Sequence, residues 1–247
     1  MARRHIVGRL AGAAALTGGL ALVFGGVAGG ATAAPFAFPH SNVVNGSSGS
    51  GYSATFPRSS TTNGFLATYV VPSITCSVKD TSPIETFFAE EGDNGGGAAL
   101  VIAGCDGLQP IYEAGLTELG PNPFVVNPGD VLTVSVEISP SAADYAITDV
   151  TSGLSASISE DGFANANAGV EIGLEGANSG EGISPRFSRA LFSGVSLNGV
   201  PLKLSHPVAH DQVSPSNRPQ IKVTPLYHNG ESFTVTWASS AGAPVGP

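Results

Sequence analysis

Apolar and polar residues alternate in short blocks from Gly51 onward, and turn-forming residues separate the blocks. The segments VLTVSVEIS (131–139) and LSASIS (154–159) show this alternation most clearly. A period of two is typical of strands that bury one face, and no segment after Gly51 shows the longer period of an amphipathic helix. The predicted strands lie at 65–72, 99–104, 131–139, 145–153, 154–159, 169–175, 191–199, 220–227 and 232–237.

The turn residues and the chain length indicate one domain built from these strands. The 247 residues include 33 glycines and 18 prolines, which suits many tight turns. Short strands at this spacing indicate an antiparallel sandwich or barrel, and residues 51–240 fit a single domain of that kind. Residues 34–50 are predicted to form a flexible leader, because Ser, Gly, Asn and Pro dominate them, and residues 241–247 a C-terminal tail.

The first 33 residues have the order of a secretory signal peptide. Arg3, Arg4 and Arg9 give a positive start, residues 10–30 are apolar and uncharged, and residues 31–33 supply small side chains for cleavage. A retained membrane anchor is the alternative, because the apolar run is long enough to span a bilayer. Glycines in the run and the small-residue site favour cleavage. We therefore predict a secreted, extracellular protein without membrane contact after signal cleavage.

The charge balance narrows the choice of partners. The chain carries 19 acidic residues against 10 lysines and arginines, a formal net charge of −9, and signal cleavage would make it more acidic. A nucleic-acid partner is not expected, because phosphate binding needs a basic surface. The acidity suits work at low pH, and the solubility of an exported protein explains it equally well. We expect a monomer.

Cysteine and histidine positions give two further expectations. Cys76 and Cys105 most simply form one disulfide in an oxidising compartment, with two unrelated buried thiols as the alternative. His206 and His210 are four residues apart, but Pro207 lies between them and no third His or Cys is near. We predict no metal site and no cofactor, since the ligand geometry is missing. Residues 201–219 are expected to form a polar surface loop.

Carboxylates are the remaining candidates for chemistry, because the sequence contains neither a serine nucleophile elbow nor a phosphate-binding loop. In the predicted strand GVEIGLE (169–175), Glu171, Gly173 and Glu175 share one face, and the apolar residues between them face the core. Two carboxylates that flank a glycine leave room for a ligand, and their repulsion could support acid–base work. An ordinary solvent-facing side of a strand explains the same pattern.

Several segments occur in the order and spacing of a known family. They are SGY (50–52), VVPSITC (70–76), FFAEEG (87–92), VNPGDVLTVSVE (126–137), TDVTSG (148–153), EIGLE (171–175), SRALFSGVSLNG (188–199) and NGESFTVTW (229–237). The chain thereby resembles the eqolisins, a family of glutamic peptidases, and particularly their bacterial branch. The resemblance implies an all-β, concanavalin A-like antiparallel β-sandwich of two curved sheets.

The resemblance also implies a site and a mechanism. It makes Glu175 the general base that activates water against a polypeptide substrate, and it places Glu91 as a second catalytic carboxylate. Phe87, Glu171 and Ile102 fall at positions that would line the substrate. In the family a glutamine amide orients the water and donates a hydrogen bond to the developing oxyanion.

The site departs from the family pattern at that glutamine. Its position holds Ile102, which can do neither task, and Gln109 is the nearby glutamine, expected in a loop beside Pro110. Aromatic cleft residues are also replaced, by Gly115 and Ile172 among others. The sequence leaves two functions open. One is an acid endopeptidase that lacks part of its site, and the other is a non-catalytic binding module, lectin-like or structural.

Overall fold

The computed structural model describes residues 43–46, 49–56, 63–91, 98–116, 123–139, 141–161, 169–176, 183–214 and 219–238. The chain divides into units of residues 1–34 and 35–247, and every described residue belongs to the second. The backbone of Glu90 and Glu91 is described, but their side chains are not. The predicted signal peptide, the C-terminal tail and most of the leader lie outside the described residues, but Val43–Gly46 within the predicted flexible leader forms a strand.

The described residues form eighteen strands and two short 3₁₀ turns, at Leu202–Ser205 and His228–Gly230. The strands are β1 (Val43–Gly46), β2 (Ser50–Thr55), β3 (Asn63–Val70), β4 (Ile74–Thr75), β5 (Ile84–Glu91), β6 (Ala98–Asp106), β7 (Gln109–Leu116), β8 (Phe124–Val125), β9 (Val131–Ile138), β10 (Ala142–Asp149), β11 (Ser155–Asp161), β12 (Gly169–Glu175), β13 (Arg186–Phe187), β14 (Ala190–Leu197), β15 (Val200–Pro201), β16 (Val208–Val213), β17 (Pro219–Val223) and β18 (Phe233–Trp237).

Sixteen of these strands form one hydrogen-bonded sheet. Its order is β11-β10-β9-β3-β14-β18-β17-β16-β2-β12-β5-β6-β7-β8, while β1 pairs with β16, β15 pairs with β14, and β4 pairs separately with β13. The β1–β16 pair is parallel, and the other strand pairs are antiparallel. The sheet folds over itself, so that β10 and β11 contact β6 and β7 across the core. The predicted antiparallel β-sandwich is confirmed, with two layers continuous at one side.

A row of aromatic rings fills the space between the layers. Tyr52 meets Phe233 at a centroid distance of 4.9 Å, Phe233 stacks on Phe192 at 4.6 Å, and Phe192 meets Tyr69 at 5.0 Å. The Tyr69 hydroxyl lies 2.7 Å from Thr86 Oγ1 on the opposite layer. Burial raises the pKa of the Tyr69 phenol, because a phenolate would lose its hydration. Each buried ring contributes about 1.5–3 kcal/mol, so this row is a main source of stability.

The disulfide expectation is confirmed. Cys76 and Cys105 are bonded with a Cα–Cα distance of 5.8 Å, and they close a loop of 29 residues. A loop of that length restricts the unfolded chain enough to contribute about 3–4 kcal/mol. The bridge ties the segment after β4 to the end of β6. Among the described residues, no helix is long and apolar enough to cross a membrane.

One expectation about the fold is wrong. The predicted polar loop at 201–219 contains a 3₁₀ turn and the strand β16, which lies between β17 and β2 inside the sheet. Ala209 is opposite Tyr52 and faces the core, whereas its neighbours His210 and Asp211 are polar and half-buried. The strand is hard to recognise because it presents only one small apolar residue to the core, and pairing on both edges stabilises it instead.

Candidate active site

Strand β12 presents its carboxylates to the face that points away from the core. Val170, Ile172 and Leu174 are buried, with at most 3% of their surface exposed. Glu171 and Glu175 are half-buried on the opposite face. The alternation predicted for this strand is therefore confirmed, and Ile172 is a core residue rather than a cleft residue.

Four side chains line up across neighbouring strands on this outer face. Glu175 of β12 is opposite Glu85 of β5, and Glu85 is opposite Ile102 of β6. Ile102 is in turn opposite Glu113 of β7. Directly opposite residues of antiparallel strands point to the same face, so Glu175, Glu85, Ile102 and Glu113 form what we call the carboxylate row. Strands lie about 4.8 Å apart, which puts the Cα atoms of Glu175 and Ile102 about 10 Å apart.

Gln109 lies well away from Glu175. It is the first residue of β7, not a loop residue as expected, and it pairs with Asp106 at the exposed tip of the β6–β7 hairpin. Four residues of extended strand separate it from Glu113, a distance of about 13 Å. Ile102, by contrast, shares the carboxylate row with Glu175.

Phe87 forms an apolar surface beside the row. Its Cα is opposite Gly173 of β12 and Leu100 of β6. Its ring reaches Gly49, where a Cβ atom would lie 3.0 Å from the Phe87 Cε1 atom. Since β12 lies between β5 and the segment that contains Gly49, the ring must cross over Gly173. Gly49 has a φ of 131°, a backbone conformation that favours glycine.

The glycine at 173 does not leave the open space that its position between two glutamates suggests. Gly51 of β2 is directly opposite Gly173, and a Cβ atom on Gly51 would lie 2.6 Å from the Gly173 Cα. A Cβ atom on Gly173 would meet the backbone of Ser50. The pair of glycines therefore lets two backbones approach closely, and this packing explains why residue 173 is a glycine.

Glu171 and Glu91 lie further along the same strands. The backbone of Glu91 is opposite Gly169, about 20 Å along the sheet from the carboxylate row. Glu171 is opposite Ser53 and helps to line an open cavity of about 300 Å³, together with His206 and others. Ser53 Oγ lies 2.7 Å from His210 Nε2 in the same region. The carboxylate directly opposite Glu175 is thus Glu85, which the sequence did not single out.

Gln212 holds the backbone immediately after Glu175. Its Nε2 donates to the Gly176 carbonyl at 3.0 Å, and the Gly176 amide donates to its Oε1 at 3.0 Å. The side chain is fully buried. Because both polar ends of this amide bind backbone groups, Gln212 fixes the chain direction at the end of β12. Sequence reasoning missed it, since the segment that carries it was expected to be a loop.

The described residues include no group of three or more His, Cys, Asp or Glu side chains that could hold a metal ion. Glu175 and Glu85 are directly opposite carboxylates on this face, and Glu137 and Asp144 form a second directly opposite pair in the other layer.

Solved structures of peptidases share this architecture. SCP-B, an eqolisin-family peptidase in complex with the tripeptide Ala-Ile-His, superposes with a TM-score of 0.56 at 17% identity, over 76% of this chain and 98% of that one. The chain has the eqolisin fold. Scytalido-glutamic peptidase with a peptide-based transition-state analogue gives a TM-score of 0.52 at 16% identity, over 76% of this chain and 98% of that one. Neither a family profile nor a curated protein matches the sequence.

Proposed function

We propose that this chain is a secreted acid endopeptidase of the eqolisin type that hydrolyses polypeptides with Glu175 as the general base. The observation that carries the proposal is the position of Glu175. It ends a strand of an eqolisin fold, half-buried on the outer face and in line with the position that the resemblance assigns to the family glutamine. The glutamic peptidases with this fold bind peptides or peptide-based analogues.

In this mechanism the Glu175 carboxylate takes a proton from a water molecule, which attacks the carbonyl carbon of the scissile peptide bond. Glu175 then gives the proton to the leaving amine. The hydrogen bonds of Gln212 to Gly176 hold the end of β12, so the carboxylate keeps its direction during both transfers. The Phe87 ring offers an apolar surface beside the row for a substrate side chain.

Ile102 lowers the rate that this site can reach. Its side chain shares the outer face with Glu175 but carries no hydrogen-bond donor. Loss of one donor to the oxyanion typically costs about 10²–10³ in rate. We therefore propose that the protein cleaves polypeptides slowly compared with an eqolisin that has the glutamine.

The proposal is tested by incubating residues 34–247 with a denatured protein between about pH 2 and pH 5, beside the variant Glu175→Gln. We expect cleavage by the unsubstituted protein and a loss of about 10³-fold or more in kcat/KM in the variant, because the amide cannot accept the water proton. Glu137→Gln is the matched control, since Glu137 is an exposed glutamate on β9 in the other layer. Equal cleavage by Glu175→Gln and the control would contradict the role of Glu175.

A binding module without catalysis is the second candidate, and the cavity beside Glu171 favours it. A cavity of about 300 Å³ can take one side chain or one small polar ligand. A lectin-like site has less support, because the single tryptophan, Trp237, packs edge-on against Phe187 at 5.7 Å instead of forming an open platform. A folded protein that cleaves nothing at any pH but retains peptide binding would favour this candidate.

A further inference from the structure

The proposed function leaves the oxyanion without the family's hydrogen-bond donor. Ile102 occupies that position on β6, and an isoleucine side chain cannot donate a hydrogen bond. A peptidase with this site needs a donor from another strand. The donor must lie on the outer face and within reach of a carbonyl that a water molecule on Glu175 could attack.

Glu85 is the polar side chain that the register places in this gap. It is opposite Glu175 on one side and opposite Ile102 on the other, so it stands between the general base and the position of the missing donor. Directly opposite residues have Cβ atoms about 5 Å apart, which is within reach of one substrate carbonyl for both side chains. Glu85 is half-buried, and therefore partly open to a substrate.

Glu113 does not meet the same condition. It belongs to the carboxylate row but lies beyond Ile102, three strands from Glu175 and exposed. Strand spacing puts its Cα about 14 Å from that of Glu175. Glu85 and Glu113 are both glutamates on the same face, so only their distance from Glu175 distinguishes them. Glu85 is the nearer of the two.

We propose that Glu85, in its protonated form, is a catalytic residue that donates the hydrogen bond to the developing oxyanion in place of the family glutamine. The inference rests on the proposed function, because it assumes that Glu175 activates water. A protonated carboxyl group has one O–H donor, as the glutamine amide has an N–H donor, and both can point at a substrate carbonyl oxygen.

The steps balance without a co-reactant. Glu175 removes one proton from water, and the water oxygen bonds to the carbonyl carbon while the carbonyl oxygen takes the electron pair and accepts the hydrogen bond from Glu85. The carbon–nitrogen bond then breaks, and Glu175 gives its proton to the amine. Glu175 returns to a carboxylate, Glu85 keeps its proton, and the products are a carboxylic acid and an amine.

This arrangement confines activity to acidic pH, since one carboxyl of the pair must hold a proton while the other has lost one. Among the described residues, Glu175 on β12 is the charged group directly opposite Glu85, while its β6 neighbour Ile102 is uncharged and Glu113 on β7 lies beyond Ile102.

The test compares four variants of residues 34–247 by kcat/KM on one peptide across pH. Glu85→Ala removes the donor, and we expect a loss of about 10²-fold or more. Glu85→Gln keeps a donor that needs no protonation, so activity should stay within about tenfold and extend to higher pH. Glu113→Gln removes a charge from the same face and should change kcat/KM by less than about threefold. Ile102→Gln restores the family donor and should raise it.

Each outcome decides between the two proposals. If Glu175→Gln is inactive but Glu85→Ala matches the unsubstituted protein, the role of Glu85 is overturned and that of Glu175 stands. If only Ile102→Gln is active, Glu85 does not replace the glutamine. If no variant cleaves at any pH, the proposed function fails and this inference with it. Thermal melting of Glu85→Ala and Glu85→Gln shows whether a loss reflects unfolding, and loss in the well-folded Glu85→Gln would also overturn the role.

Discussion

Strands β9 and β12 both bury an apolar face in the core, but their outward faces carry different side chains. On β9, Leu132, Val134, Val136 and Ile138 point into the core, and the outer side chains are those of an ordinary solvated strand. On β12, the outer face consists of glycines and half-buried glutamates, packed between β2 and β5. The inward pattern of each strand identifies the fold. The outward-facing glutamates of β12, unlike its glycines, are not explained by the packing of the strand, and they mark the candidate site.

The largest effect that we expect concerns the bridge that supports the layer of β12. Replacing both Cys76 and Cys105 by alanine should lower the free energy of unfolding by about 3–4 kcal/mol, because the unfolded chain regains the entropy of a 29-residue loop. Denaturant unfolding with and without reductant measures the change. A double variant as stable as the disulfide-bonded protein would show that this layer does not depend on the bridge.

The second prediction compares outer-face glycines of the two layers. Gly173→Ala should cost about 2–3 kcal/mol, since its Cβ atom would overlap the backbone of Ser50. Gly64→Ala on β3 is the matched control, because nothing lies within 4 Å of its Cβ position, and it should change stability by less than about 1 kcal/mol. Thermal melts of the two variants give the answer, and equal melting temperatures would refute the close approach of β2 and β12.

The smallest effect concerns a turn of the β9 layer. Asp149 at the end of β10 is buried, which by itself would raise its pKa, but its hydrogen bonds with Ser152 and the Thr151 amide outweigh burial and lower the pKa. A lowered folded-state pKa stabilises the fold above the unfolded value, and the gain is lost as pH falls through the folded value. Asp149→Asn should therefore cost about 1–2 kcal/mol at neutral pH.

The pH dependence checks the sign of that effect. The stability difference between Asp149→Asn and the unsubstituted protein should shrink as the pH falls below the ordinary aspartate range. Urea titrations at neutral and strongly acidic pH measure it. A difference that grows in acid would contradict the lowered pKa.

The sequence predicts those strands in which apolar and polar residues alternate along consecutive positions. Strands β9 and β12 alternate cleanly, so their existence and their inward faces could be predicted. Strand β5 was missed, because it turns Thr86 inward to bind Tyr69 and turns Phe87 outward, against the usual pattern. The disulfide was predictable from the number of cysteines and the expected compartment alone.

The carboxylate row could not be predicted in the same way. Glu85 and Glu175 are 90 positions apart in sequence and become neighbours only through the register of β5 and β12. Nothing local to Glu85 distinguishes it from an ordinary surface glutamate. Gln212 is similar, since its role depends on the backbone of Gly176, which directly follows β12.

The continuity of the sheet has a consequence for motion. The two layers are joined through β18, β17 and β16 by a ladder of backbone hydrogen bonds, with one register shift between β16 and β17. The layer with the candidate site cannot hinge away from the other without breaking that ladder, so large openings belong to cooperative unfolding rather than to breathing of one half.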